Sequence, residues 1–180
     1  EPEPGCHLAT SRDVVEFFRC YLLGNDRDHL VRRHLRICHD ICHAAVMFEP
    51  QAQAMEHYAR SGIKVGKVHV SSAVRADFGA MSDDPTRQRA HRQLHSFKET
   101  RYLHQSVIRR PGAQDTFYED LPKALEQSPT GEWRIHFHVP LFLDRFGDLQ
   151  STQDQVIECL GCTEALSECR HYEVETYAWQ

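Results

Sequence analysis

Apolar positions along the chain follow two rhythms. In TSRDVVEFFRCYLLG, residues 10–24, Val14, Phe18, Tyr21 and Leu22 recur at i, i+4, i+7 and i+8, the stripe of an amphipathic helix. Thr10 or Ser11 can cap it, Asp13 suits its N-terminus and Gly24 stops it. DRDHLVRRH, residues 26–34, predicts a short second helix. PQAQAMEHYARSG, 50–62, predicts a full one, with Ala54, Tyr58 and Ala59 facing a core and Gly62 at its end. Between them LRICHD, 35–40, reads as a short strand ending at Asp40, and IKVGKVHVSS, 63–72, as the next strand. From about Arg75 to Pro129 the pattern turns polar, with 81–102 helical and 102–110 extended. DLPKALEQS, 120–128, predicts a helix before the strand WRIHFHVPLF, 133–142. A helix opened by Ser151 or Thr152 and a last strand, HYEVETYAW, 171–179, complete the series.

Strand–helix alternation of this kind predicts a parallel sheet. With EPEP at the mouth of a further strand, the count is about five strands and four helical regions, half of a closed eight-stranded barrel. The polar stretch at about 76–130 is long for a simple connection and is expected to be an insertion or lid. The start, EPEPGC, has no initiator methionine and the end, VETYAWQ, follows a β-rich run, so the chain reads as a fragment. Half a barrel leaves open parallel edges, and an isolated 1–180 chain is expected to aggregate or dimerise.

The chemistry collects at the strand ends. Asp40 closes one strand and His69 lies near the end of the next, while His136 and His138 sit on IHFHV and Glu173 and Glu175 on YEVET. Residues i and i+2 of a strand share a face, so each pair points together. A buried parallel strand should be nearly all apolar. Two carboxylates or two imidazoles on one face are costly unless a cation or hydrogen-bond partners compensate. Imidazole and carboxylate donors suit Zn, Mn or Fe as the divalent metal, and carboxylate-rich sets tilt toward Mn or Mg. Thirteen histidines, more than the nine glycines, supply such a centre generously.

Bulk properties narrow the classes. A net charge of −5 and a pI near 6.2 argue against bulk nucleic acid as a partner. No apolar run reaches the ~18–20 residues of a membrane span, and no leader precedes the first helix, so the expected location is cytoplasmic. Seven cysteines, an odd number, read as free thiols.

DICH, 40–43, is the D-x-x-H motif of the xylose-isomerase-like TIM barrels, which include sugar isomerases, epimerases and apurinic endonucleases. KVHVSSAVR places Arg75 six residues after His69, and VETYAW and EPEPG resemble the glutamate-bearing strand ends of that superfamily. EPEPGC, CHDICHAAVMFE, KVHVSSAVR, YLHQ, HFHVPLFLDRFG and EVETYAW together look like EboE-type metabolite-traffic proteins. The resemblance implies an α/β fold, the carboxy-terminal half (about strands 4 to 8) of a parallel (β/α)8 TIM barrel, partnered by the other half. It implies Glu1, Asp40, His69 and Glu175 as metal ligands, with Glu3 competing for the place of Glu1. Glu1 and Glu175 would exchange a proton with substrate, and His43 and Arg75 would hold its oxygens. His136 and His138 resemble the Asp-x-His of the zinc endonuclease branch; His138 is expected as a further ligand, His136 to contact substrate, with His43 in reserve for a second metal.

Blander roles fit the remaining residues. His39, Cys38 and Cys42 are expected to pack, and CLGC at 159–162 lacks the other ligands of a zinc site. Lys67 is expected in an ion pair rather than a Schiff base, and Glu173 in a salt bridge below the metal. RQRAHRQLH reads as a solvated helix face, and His104 could reach the site from the insertion. The expected function is metal-dependent isomerisation or epimerisation of a small polyhydroxylated metabolite, phosphorylated or not. The alternatives are metal-assisted phosphoester hydrolysis and a non-catalytic metabolite carrier.

Overall fold

The computed structural model describes residues 1–176. In chain order it contains α1 (Ser11–Phe17), α2 (Asp28–His34), β1 (Ile37–Asp40), α3 (Ile41–Val46), α4 (Gln51–Arg60), β2 (Val65–Val70), β3 (Val74–Asp77) and α5 (Asp84–Leu94). There follow β4 (Ser106–Arg109), β5 (Thr116–Tyr118), α6 (Leu121–Ala124), β6 (Glu132–Ile135), β7 (Arg145–Phe146), β8 (Leu149–Ser151), α7 (Gln153–Leu166) and β9 (Tyr172–Val174). A π-helical turn, Phe18–Leu22, continues α1. Thr10 caps α1 in a reciprocal capping box with Asp13, and Gly62 adopts φ +64 just beyond α4, as their positions predicted.

The strands form two sheets rather than part of one barrel. β1, β2 and β9 make a parallel sheet in the order β1-β2-β9. The other six make an antiparallel sheet ordered β5-β4-β6-β3-β8-β7. The expected parallel (β/α)8 TIM barrel, whole or half, is therefore corrected to a mixed α/β arrangement. The physical reason lies at residues 71–73. A parallel crossover needs a dozen residues or more, but this short link leads from β2 straight into β3, which joins the antiparallel sheet. The alternation of buried and half-buried residues in VRAD and EWRI, β3 and β6, is that of strands with one covered face.

Two further expectations change. EPEP forms a turn closed by Glu3 N–H to Leu8 carbonyl and Cys6 N–H to Glu3 carbonyl, not a strand. The strand predicted across 133–142 ends at Ile135, so His136 and His138 lie beyond it. Residues 76–130, expected as an insertion or lid, supply α5, β4, β5 and α6 and share a core with β3 and β6. Of the predicted last strand, 172–174 pair with β2, and 177–180 lie outside the described residues.

Each sheet has its own core. α1, α4 and α7 cover one face of the parallel sheet through Val14, Ala54, Met55, Tyr58 and Val156, against Val68 and Val70. Trp133, Phe78, Leu94, Ile108 and Leu121 fill the core under the antiparallel sheet. A small cluster of Cys42, Val46, Phe48, Ala73 and Val107 joins the two. Phe48, at φ 55, is the one non-glycine with positive φ among the described residues, and the guanidinium groups of Arg109 and Arg134 each lie 4.1 Å from its ring centre. This seam holds α3, and with it His43, against the sheet that carries His136.

Trp133 is fully buried, donates from Nε1 to the Thr130 carbonyl at 3.0 Å and meets Phe78 edge-on. Trp133→Ala removes that volume and leaves the carbonyl without this donor, so it should lower unfolding stability by about 3–5 kcal/mol. Urea denaturation checks this; a loss below about 1 kcal/mol would contradict the packing described.

Candidate metal centre

Asp40 ends β1 and caps α3: its Oδ1 accepts from the His43 N–H at 2.9 Å and from Ser71 Oγ at 2.8 Å. These two donors fix the carboxylate, and its other oxygen, Oδ2, is buried without a hydrogen-bond partner. His69 faces it from the neighbouring register position of β2, with Nδ1 at 3.5 Å from Asp40 Oδ2. The same Nδ1 lies 3.4 Å from Glu1 Oε1 and 3.2 Å from Glu175 Oε2, and it too is buried without a hydrogen-bond partner. Glu175 is set at the mouth of β2 by its N–H, which donates to the Val70 carbonyl just past β9. One imidazole nitrogen thus looks at three carboxylates. Donor atoms around an ion at ~2.1 Å stand about 3.0–3.5 Å apart in octahedral or tetrahedral sets, and these spacings fit.

A second convergence adjoins the first. His43 Nε2 is 3.2 Å from His136 Nε2, which is 3.2 Å from His138 Nε2. His138 also lies 3.8 Å from Glu175, through Nδ1. Donor atoms of Asp40, His43 and His138 fall within 4.8 Å of one another, as do those of Asp40, His69 and Glu175. Asp40 therefore stands between a carboxylate-rich set and an imidazole-rich one.

The predicted residues divide. Glu1, Asp40, His43, His69, His136, His138 and Glu175 come together; Arg75 does not, since it lies on β3 paired with Asp154 at 3.1 Å. Glu3 turns away from these sets, its Oε1 reaching Gln105 Nε2 at 3.5 Å. His104 is buried and supports His136 from below, its Nδ1 meeting the His136 carbonyl at 2.8 Å. Lys67 pairs with Glu173, on the same sheet face beneath His69. Two thiols set aside in the sequence stand at the site: Cys38 groups with Glu1 and His69, and Cys42 with His136 and His138. Burial, with Glu1 beside it, pushes the Cys38 thiol up to about 12, and burial raises Cys42 well above the usual thiol range, so both are neutral thiols without metal. Gln105 was missed altogether; a neutral amide in a loop carries no signal in composition or period.

The charges in the site constrain one another. Burial raises Asp40, but His69, His43 and His138 outweigh it and hold the carboxyl below the usual range. Asp40 beside it, with Glu1 and Glu175, raises His69 against the effect of burial. Glu175 is raised, by burial first and then by Asp40 and Glu1. Burial lowers His136 to about 3 and also lowers His138, His39 and His91.

These shifts set a pH response. The unfolded chain protonates its histidines near pH 6.5, while burial disfavours the proton on His136, His138, His39 and His91 in the folded chain, so acid favours unfolding. Asp40, with its lowered value, adds loss in the same direction at lower pH, while His69 and Glu175, both raised in the folded chain, oppose it. The metal-free chain should lose stability from about pH 6.5 down to pH 5, with His136 contributing about 1.4 kcal/mol per pH unit. Denaturant midpoints in EDTA at pH 7.5 and 5.5 measure it; an unchanged or higher midpoint at pH 5.5 would contradict the assignment.

No helix of the described residues is long and apolar enough to cross a membrane. Comparison with models of protein families, with curated proteins and with solved structures gave no match.

Proposed function

We propose that the chain carries a divalent-metal centre that acts on a small polyhydroxylated metabolite by proton transfer next to a carbonyl, the chemistry of an isomerisation or epimerisation. One observation carries the reading: Asp40 Oδ2 and His69 Nδ1 are both buried, both without a hydrogen-bond partner, and face each other with Glu1 and Glu175 alongside. Buried polar groups in that state are costly, and a cation at this point would satisfy Asp40, His69 and Glu175, whose donor atoms lie within 4.8 Å of one another, with Glu1 reaching the set through His69. The carboxylate-rich set suits Mn or Mg, and zinc is admitted by the imidazole. When bound, such an ion would polarise a substrate carbonyl and an adjacent hydroxyl.

The chain's own groups supply the proton chemistry. Glu175 is partly exposed, so substrate can reach it, and its raised affinity for protons suits a group that takes and returns one. Glu1, also partly exposed, is the second carboxylate. His43 and His136 border the site and are available to substrate oxygens through Nε2.

Solvent exchange tests the reading. In D₂O with Mn²⁺, the chain should incorporate deuterium into a member of a panel of ketoses, aldoses and their phosphates. A metabolite bound without exchange would support a carrier instead, and no binding across the panel would remove the substrate class. The three converging Nε2 atoms favour a second reading, metal-assisted phosphoester hydrolysis. Two zinc ions per chain with release of phosphate from a model diester would select it over the first.

A further inference from the structure

The two histidines that meet at 3.2 Å are each held from behind. His43 Nδ1 lies 2.9 Å from the Pro2 carbonyl, which can only accept, so Nδ1 carries the proton and Nε2 the lone pair. His136 Nδ1 lies 2.8 Å from Gln105 Oε1. An amide presents either its oxygen or its NH₂, and here the other end decides. Gln105 Nε2 faces the Glu3 carboxylate at 3.5 Å, which can only accept, so the oxygen is the end turned to His136. Residues 104 and 105 also grip the main chain of His136: its N–H donates to the Gln105 carbonyl and its carbonyl accepts from His104, both at 2.8 Å.

We infer that Gln105, oriented by Glu3, is a positioning residue that fixes His136 as the Nδ1–H tautomer and so turns its Nε2 lone pair onto that of His43. Two lone pairs at 3.2 Å repel, and only a proton or a cation between them makes the pair favourable. The arrangement can receive a cation between His43 and His136, with His138 and Asp40 beside them. It rests on the proposed centre for its purpose, but the tautomer belongs to the metal-free chain and is measured there.

The test is nitrogen NMR of the full chain labelled with ¹⁵N-histidine, stripped with EDTA at pH 7.5, followed by Zn²⁺ titration. The two-bond proton–nitrogen pattern of wild-type His136 should show Nδ1 protonated and Nε2 bare. Gln105→Met, near-isosteric but without the acceptor, should populate the other tautomer and weaken zinc binding about 10–100-fold. The reversed pair, Glu3→Gln with Gln105→Glu, again offers an oxygen to Nδ1 and an amide donor to that oxygen's neighbour, and should restore both readouts. An Nε2-protonated His136 in wild type overturns the inference without any variant. So does a folded Gln105→Met chain with unchanged tautomer, or a folded reversed pair that restores nothing. A wild-type chain with the stated tautomer that takes up no zinc would sink the metal reading and leave the role of Gln105 standing.

Discussion

Asp40→Asn should lower divalent-metal affinity by at least about 100-fold and should also cost the metal-free chain some stability, because His69, His43 and His138 favour the ionised carboxylate. The asparagine keeps an oxygen where Oδ1 accepts from the His43 N–H and Ser71, so the cap on α3 survives. What changes is Oδ2, the buried oxygen without a hydrogen-bond partner that faces His69. An amide nitrogen there cannot serve as a ligand and removes a negative charge next to Glu1 and Glu175. Loss of an outer supporting group typically costs 10–100-fold in metal affinity, and loss of a ligand standing between both donor sets should cost no less. The imidazoles of His69, His43 and His138 favour the charge on Asp40 over the cost of its burial, so neutralising it should lower the denaturant midpoint in EDTA. Calorimetric titration with Mn²⁺ measures the first effect. A midpoint drop of several kcal/mol with unchanged affinity would mean that Asp40 serves α3 alone.

Glu175→Gln should abolish deuterium incorporation into substrate, a fall of at least about 100-fold, consistent with removal of a general base. Metal binding should persist, weakened about tenfold, because the amide oxygen can still face His69 and the other ligands remain. The side chain is about half exposed at the mouth of β2, and Gln preserves its length, so no loss of folding is expected. Near-normal exchange by the variant would remove Glu175 from the proton-transfer role. Equal loss of metal and exchange would make it a ligand only.

The site was more legible in the sequence than the fold. Asp40, His69 and the Glu173/Glu175 pair interrupt apolar strand patterns near the strand ends, and a two-residue period with a cost for buried charge marked them as candidates, while the choice of Glu175 as ligand came from the resemblance. That argument needs only local geometry, and the structure, although no barrel, brings Asp40, His69 and Glu175 within reach of one another. Strand direction is a non-local property, and the alternation of helices and strands concealed it. The decisive local clue was the short Ser71–Ala73 link, which cannot carry a parallel crossover, together with the half-covered rhythm of VRAD and EWRI. His136 and His138 were placed on a strand by their spacing, yet they converge on His43 from the segment beyond β6. Glu1 was reachable only through resemblance, because EPEP has no strand period to read. The Pro2 carbonyl and the Gln105 amide could not have been found, since a backbone oxygen and a neutral side chain leave no trace in pattern or charge.

The central proposal is that Asp40, His69 and Glu175, with Glu1 beside His69, hold a divalent cation, and the most direct measurement is calorimetric titration of the EDTA-stripped chain with Mn²⁺ and Zn²⁺. The account predicts saturable binding of at least one ion per chain, lost with Asp40→Asn. Absence of saturable binding by the folded wild-type chain, or equal binding by Asp40→Asn, would contradict it.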